Sequence, residues 1–525
     1  MAVQLSDGLT KFAPTSFVGF VRLRSQQLVI YGAAGGVMLA ALAVYLPTLA
    51  PSITWSHGGA DSGDLAAAVA VLGIAHPPGY PTYILLGHIW AGLPLGGDIA
   101  YRLNLLSAVS AAGAAGITVL TIIQLAWHCG LLSSDGKLPA VGAAGGGLFL
   151  ALAPITWSQA AITEVYAPGL FWLAALGWLL FEWTIRPQPR LLFGAGLLIG
   201  LGFGLLPQIV LAGPGLLFLL IQQKKFERAS MGLWKSALLL SVGVMSGLSV
   251  FIYLPIRAAA QPFINWGDPS TPARFWAVVT AAQYHRYAGL LTWSDWFNRL
   301  PDSLAQLNHA LSWAGLGLAV LGGYVLWRRG RGTLAYLLSL TALTLLFRTG
   351  YPVAANIVYL LPAIYGLSLL TGVGAIWLLA AAQRQVGWKG AMVAGLALLV
   401  TLGIRAAALG PQLDISRDEA ALRFGQQVFA ALPENAVVIS RQDETTFSLW
   451  YRQALGERPD VIVVDKRLLA FDWYTTQLEL RHPALNVTNT RRPRCLLGIL
   501  SPEQIRDRET RFASPNSKLF TCTRE

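Results

Sequence analysis

Long apolar runs separated by short basic links dominate this sequence. The first run, Leu28 to Leu49, is long enough to cross about 30 Å of hydrocarbon and longer than the apolar part of a cleavable signal peptide. A bilayer core offers no water to the backbone, so repeated runs of this kind fold as packed helices. Composition agrees: 54% of the 525 residues are hydrophobic, 12% are charged, and mean hydropathy is +0.54. This excludes an ordinary soluble enzyme. The formal net charge of +12 does not point to nucleic acid. Much of the Lys and Arg lies in links between runs, where it sets topology, and no basic stripe with interleaved aromatics occurs. No nucleic-acid partner is expected.

Arg22 and Arg24 precede the first run, which puts the N-terminus in the cytoplasm. Lys137, Arg186 with Arg190, Lys224 with Lys225 and Arg228, Arg328 with Arg329 and Arg331, and Arg384 with Lys389 mark the other inner links. Alternation between these links predicts about eleven spans and an outer C-terminus. The expected fold class is mainly α, a polytopic transmembrane helical bundle, with a small extracytoplasmic α/β domain at the C-terminus. Residues 1–410 form the membrane domain, with a first outer loop at 51–100 and another at 256–303. Residues 411–525 form the outer domain, where Ala436–Ile439 and Val461–Val464 read as buried strands, and Arg417–Leu432 and Glu444–Leu455 as helices. Gly63–Ile74 and Thr82–Leu93 are too short to cross and read as helices along the outer interface. The glycines of Gly142–Gly147 read as helix packing. A bacterial inner membrane is the expected location.

Three cysteines exclude a disulfide scaffold and show no zinc spacing. Cys129 falls in a cytoplasmic link. Cys495 and Cys522 lie in the outer domain beside short apolar stretches, where an oxidising compartment lets them pair.

The polar clusters all fall on the outer side. Asp61 and Asp64 stand three apart, followed by His76 and the turn Pro77-Pro78-Gly79-Tyr80-Pro81. Carboxylates beside a bilayer are costly unless solvated or used. Arg102 and Asn104 come next, then Gln159, Glu164 and Tyr166, then Arg257 with Asn265 and Trp266, then Arg348. Each has a plain structural alternative: Arg102 can snorkel, Glu164 can sit in a solvated loop, and Asn265–Asp268 can be an ordinary turn. Arg286 and Arg299 read as a solvated face. The catalytic candidates are Asp61 and Asp64. The substrate-binding candidates are His76, Tyr80, Arg102, Asn104, Gln159, Glu164, Tyr166, Arg257, Asn265, Trp266 and Arg348.

An outer site constrains the chemistry. ATP and nucleotide sugars are cytoplasmic reagents, so a transferase working outside needs a donor already carried across, and a lipid phosphate meets that need. A carboxylate would act as base on the incoming hydroxyl, and an Arg beside the membrane would stabilise the leaving phosphate. Asp61 or Asp64 fits the base; Arg257, with Arg348 as alternative, fits the clamp. Two carboxylates are too few for an all-protein cation cage, so no metal and no cofactor is expected.

The runs D-S-G-D at Asp61–Asp64, L-G-I-A-H-P-P-G-Y-P at Leu72–Pro81, R-L-N-L-L-S-A from Arg102 and W-S-Q-A-A-I-T-E-V-Y at Trp157–Tyr166 resemble the GT-C-type membrane glycosyltransferases. The branch is the one that includes the plexin-type protein O-mannosyltransferases. Y-L-P-I-R at Tyr253–Arg257, N-W-G-D-P at Asn265–Pro269 and R-P-D-V-I-V-V-D at Arg458–Asp465 extend the resemblance over most of the chain. It implies a GT-C-like, inverting transferase moving a sugar, mannose being one option, from a polyprenyl-phosphate donor to a hydroxyl of a protein, lipid or glycan acceptor. An essential carboxylate in the first outer loop is implied, and Asp61 matches it. Where the family usually has Glu, this chain has Asp64. Where it often has a polar, His-containing segment at the end of the fifth span, this chain has Gly204-Leu205-Leu206-Pro207-Gln208. Two other readings stay open: a transporter or flippase of lipid-linked saccharides, and a non-catalytic assembly partner.

Overall fold

The computed structural model describes residues 17–132, 137–223, 232–287, 291–353, 356–483, 494–497 and 520–523. Among them, seven helices are long and apolar enough to cross a membrane, or eight if the bent pair Lys137–Ala151 and Pro154–Ala160 forms one span. The protein is therefore an integral membrane protein. Eleven spans are expected from the basic links, a count that these long helices do not reach; three segments bear on it. Pro189–Phe203 and Pro207–Leu219 are apolar but short. Asn356–Leu413 counts as one segment of 58 residues, yet Gly387 (φ 77°) breaks it. A straight helix would separate residues 379 and 395 by about 24 Å, whereas a Cβ on Gly395 would lie 3.7 Å from Leu379. The segment is a helical hairpin. The Gly142–Gly147 stretch packs as expected: a Cβ on Gly146 would come within 2.8 Å of the Gly372 Cα.

The α/β domain expected on the outer side, hereafter the outer domain, follows Leu413. Strands β1 (Val437–Ser440) and β2 (Ile462–Asp465) are parallel; β3 (Arg494–Leu497) runs parallel to β1, and β4 (Phe520–Thr523) antiparallel to β3, giving the order β2-β1-β3-β4. Helices Ala420–Ala431, Asp443–Ala454 and Asp472–Arg481 accompany the sheet. Cys495 is disulfide-bonded, and its register partner across β3–β4 is Cys522. Cys129 is free and buried.

The segment expected as the first outer loop is built into this domain. The Ser62–Val71 helix is buried from Ser62 to Val69, so it does not lie along the interface as expected. It is a core helix pressed against Asp443–Ala454, where a Cβ on Gly63 would sit 2.6 Å from the Phe447 carbonyl oxygen. Trp55 Nε1 donates to the Glu444 carbonyl at 3.0 Å, and Thr54 Oγ1 donates to Asp418. The Pro81–Ala91 helix keeps the interfacial character: Leu85 and Ile89 remain exposed.

Candidate active site

Each letter of D-S-G-D has a separate local task. Asp61 stands at the N-terminus of the Ser62–Val71 helix. The Ser62 hydroxyl donates to the Thr54 carbonyl and accepts from the Thr54 N–H, closing the preceding turn. Gly63 admits the outer-domain helix. Asp64, fully buried, accepts from the His76 backbone N–H at 3.0 Å, from His76 Nδ1 at 2.8 Å and from Trp266 Nε1 at 2.8 Å. Held this way, His76 turns Nε2 toward Asp61, 3.7 Å away. The Pro77–Pro81 turn, with Gly79 and Tyr80 at positive φ, sets Tyr80 edge-on to the His76 ring at 5.2 Å.

The Asp61 side chain is 41% exposed, whereas that of Asp64 is fully buried. Burial pushes its carboxyl up to about 6; His76 opposes this, and the charges of Asp443, Asp64 and Glu444 add to it. Burial would lower the basicity of His76, but Asp61 and the hydrogen bond to Asp64 outweigh it and hold the ring up to about 10. At neutral pH the ring is an imidazolium clasped between two carboxylates. Glu164, 3% exposed, accepts from the Val165 N–H. Burial and the nearby Asp61 charge raise its carboxyl well above the usual range, which favours the neutral acid. Trp266 also anchors an aromatic group with Phe447, Trp450 and Trp473.

Asp61, Asp64, His76, Tyr80, Glu164 and Trp266 thus come together, and Tyr166 joins them through Tyr359, ring centroids 6.1 Å apart. The other candidates have structural work. Arg102 donates to the carbonyls of Ala91, Gly96 and Gly97, tying down a loop. Asn104 Nδ2 donates to Ala50 and Ser52, and its Oδ1 accepts from Thr163. Gln159 donates to the His57 carbonyl. Arg257 donates through Nε to the Leu72 carbonyl and through Nη2 to the Val71 carbonyl, which ties it to the end of the Ser62–Val71 helix. Asn265 pairs with Ile74 in a parallel bridge, more than an ordinary turn. Arg348 is buried, with Nη2 2.5 Å from Asp302 Oδ2 and Nη1 donating to Ser303; Nε has no hydrogen-bond partner among the described residues.

Sequence reasoning missed several neighbours. Tyr284 and Tyr359 feel the Asp61 charge, as Asp61 feels Asp443 and Glu444 of the outer domain. Arg299, expected on a solvated face, is half-buried; Nη2 donates to the Tyr351 carbonyl, and Nη1 has no partner among the described residues. The Arg299–Arg348 pair flanks Tyr351, which stacks on Phe347 and leads to Tyr359. Only the Tyr351 and Asn356 beside Arg348 signal this in sequence. No group of three or more His, Cys, Asp or Glu with metal-holding geometry occurs among the described residues.

A family model described as the protein O-mannosyl-transferase TMEM260 N-terminal domain matches residues 61–230, beginning at Asp61; one described as TMEM260-associated domain 2 matches residues 421–487. A mouse protein named protein O-mannosyl-transferase TMEM260 is 24% identical over 480 residues, covering 87% of this chain and 65% of the mouse protein. A Dictyostelium discoideum protein of the same name is 30% identical over 96 residues, 17% of this chain and 11% of that one. The chain thus spans just under two thirds of the mouse relative, and much less of the other. The crystal structure of ArnT from Cupriavidus metallidurans bound to undecaprenyl phosphate superposes with a TM-score of 0.55 at 14% identity, covering 89% of this chain and 93% of that one. The chain has the fold of the GT-C membrane glycosyltransferases and, over residues 61–230 and 421–487, resembles the TMEM260 protein O-mannosyl-transferases.

Proposed function

We propose that this protein is an inverting membrane glycosyltransferase that moves a sugar, mannose by its relatives' name, from a polyprenyl-phosphate donor to an acceptor hydroxyl. The observation that carries this reading is the Asp61–His76–Asp64 arrangement on a GT-C fold. Asp61 is the exposed member of the three, and a carboxylate titrating near 6 is ionised at neutral pH yet basic enough to take a hydroxyl proton. Asp64 and Trp266 act as positioning residues. His76, a fixed cation, balances the two carboxylates. Glu164, as a neutral acid, donates a hydrogen bond to the substrate. Arg299 and Arg348, each with a buried N–H that has no partner among the described residues, are our candidates for the donor phosphate, which meets them once these side chains turn outward; the exposed Trp293 and Phe297 on the Arg299 helix suit the lipid chain. The basic links support an outer-facing site at a cell membrane, a bacterial inner membrane being our choice. A protein acceptor fits the relatives' name.

Asp61→Asn decides the reading. We predict that it keeps the fold and lowers transfer by about 10²-fold or more, measured with radiolabelled polyprenyl-phosphate mannose in proteoliposomes. Wild-type turnover in this variant removes Asp61 from the mechanism.

A further inference from the structure

Behind the carboxylates, on the far side of Trp266, lies a cavity of about 270 Å³ between the outer domain and the 263–266 segment. Trp266, Trp450 and Trp473 supply its apolar walls; Asn265, Gln453 and Arg481 supply its polar ones. Neither Asp61, His76, Glu164 nor Arg348 lines it. Asn265 is 3% exposed, and its Oδ1 has no hydrogen-bond partner among the described residues. The residue is held in place: its carbonyl accepts from Gln477 Nε2 at 2.8 Å, and its backbone bridges Ile74. A buried acceptor left without a donor is unfavourable, and such groups call for an explanation.

We infer that this cavity is a binding subsite for one pyranose unit of a glycan. Three requirements lead there. The ligand must be small, since the volume falls just below the usual range for drug-sized ligands. It must present an apolar face to the indoles, and it must carry a hydroxyl that donates to Asn265 Oδ1. A sugar ring has a C–H face and a rim of hydroxyls. A phenylalanine side chain fills the walls as well but leaves the Asn265 oxygen without a donor; a tyrosine or tryptophan brings one donor and not a rim of them, and the competition below separates these from a sugar. Trp266 faces this cavity while its Nε1 donates to Asp64, so a bound sugar adjoins the scaffold that holds His76 against Asp61. The choice of a sugar of the acceptor or product rests on the glycosyl-transfer reading; the cavity and its orphan oxygen do not.

The test uses the full-length protein in nanodiscs, titrated with methyl α-D-mannopyranoside and followed by saturation-transfer NMR. Transfer activity and Tm are measured in parallel. Wild type is expected to bind saturably. Asn265→Leu should weaken binding about tenfold, the loss of one buried hydrogen bond. It should lower Tm little, because the unpaired oxygen goes with it and the one side-chain bond lost, from Nδ2 to Asp268 Oδ1, is long at 3.5 Å. Trp473→Leu, a second variant that removes stacking, should weaken binding too. Asp61→Asn should bind as wild type does. Absence of saturable wild-type binding overturns the proposal, as does equal affinity in Asn265→Leu and wild type. Tighter competition by N-acetyl-tyrosinamide than by the glycoside reassigns the cavity to a peptide side chain and also overturns it. Loss of binding in Asp61→Asn but not Asn265→Leu places the sugar at the carboxylates and likewise overturns the subsite. Absence of glycosyl transfer alongside Asn265-dependent binding overturns the proposed function and supports the subsite.

Discussion

At the scale of residues, the site depends on one imidazole held between two carboxylates with different surroundings. Asp61 is partly exposed while Asp64 is sealed, and this asymmetry makes pH a probe. With the Asp61 carboxyl raised to about 6, its basic form is lost as pH falls through that value. We predict that transfer rises between about pH 5 and 7 with a midpoint near 6; a midpoint near 4, the ordinary carboxylate range, contradicts the assignment. His76 contributes the other limb. Its folded value lies above its ordinary 6.5, so the stabilisation it gains is lost as pH rises from 6.5 through about 10, while the share that depends on the Asp61 charge also fades as pH falls through about 6. Asp64 provides a second test. Its two oxygens already accept three hydrogen bonds with no exposed surface, so the shorter side chain reaches its partners. Asp64→Glu adds a methylene to a full site and should destabilise by about 1–3 kcal/mol. An unchanged Tm in detergent sinks that argument. The importance of Asp61, Asp64 and His76 is legible in sequence because polar groups stand out against apolar runs. Their partners are less so: Trp266 lies 202 residues from Asp64, and no periodicity joins them. The prolines around His76 make it read as part of a rigid turn first, whereas it sits between the two carboxylates.

At the scale of elements, legibility follows contrast. Val437–Ser440, Ile462–Asp465, Ala420–Ala431 and Asp443–Ala454 fall within a residue or a few of their expected positions, because short apolar runs alternate with amphipathic ones there. Asp472–Arg481 escapes a reading from sequence: its mixed sequence DWYTTQLELR shows little amphipathic order. The Ser62–Val71 helix is expected as a helix but in another place. Its uniform small apolar residues fit an interface as well as a core, and only Gly63 hints at a close neighbour. That glycine is testable. Its missing Cβ would meet backbone, the Phe447 carbonyl, which cannot rotate away. We predict that Gly63→Ala loosens the outer domain from the membrane domain and lowers Tm by several degrees. Accelerated protease cleavage in the 414–420 segment is the accompanying sign, and a variant as resistant as wild type rules the contact out as a constraint.

At the scale of the whole molecule, the site has walls from both domains. Asp443 and Glu444 add their charges to Asp61 from the outer domain, and Trp55 and Thr54 reach across to Glu444 and Asp418. The site draws on residues from both sides of the division expected at residue 410. We predict that a chain ending at Leu413 inserts its helices yet leaves residues 51–100 open to protease from outside, and is inactive; protection equal to the full chain shows that the loop folds alone. The long separations carry a consequence in time. Thr54 waits for Asp418, 364 residues later, and Trp55 waits for Glu444, 389 residues later. During synthesis the loop holding Asp61 emerges long before the residues that complete its surroundings. A chain made only as far as residue 413 therefore carries its carboxylates without the Asp418 and Glu444 contacts that tie this loop down.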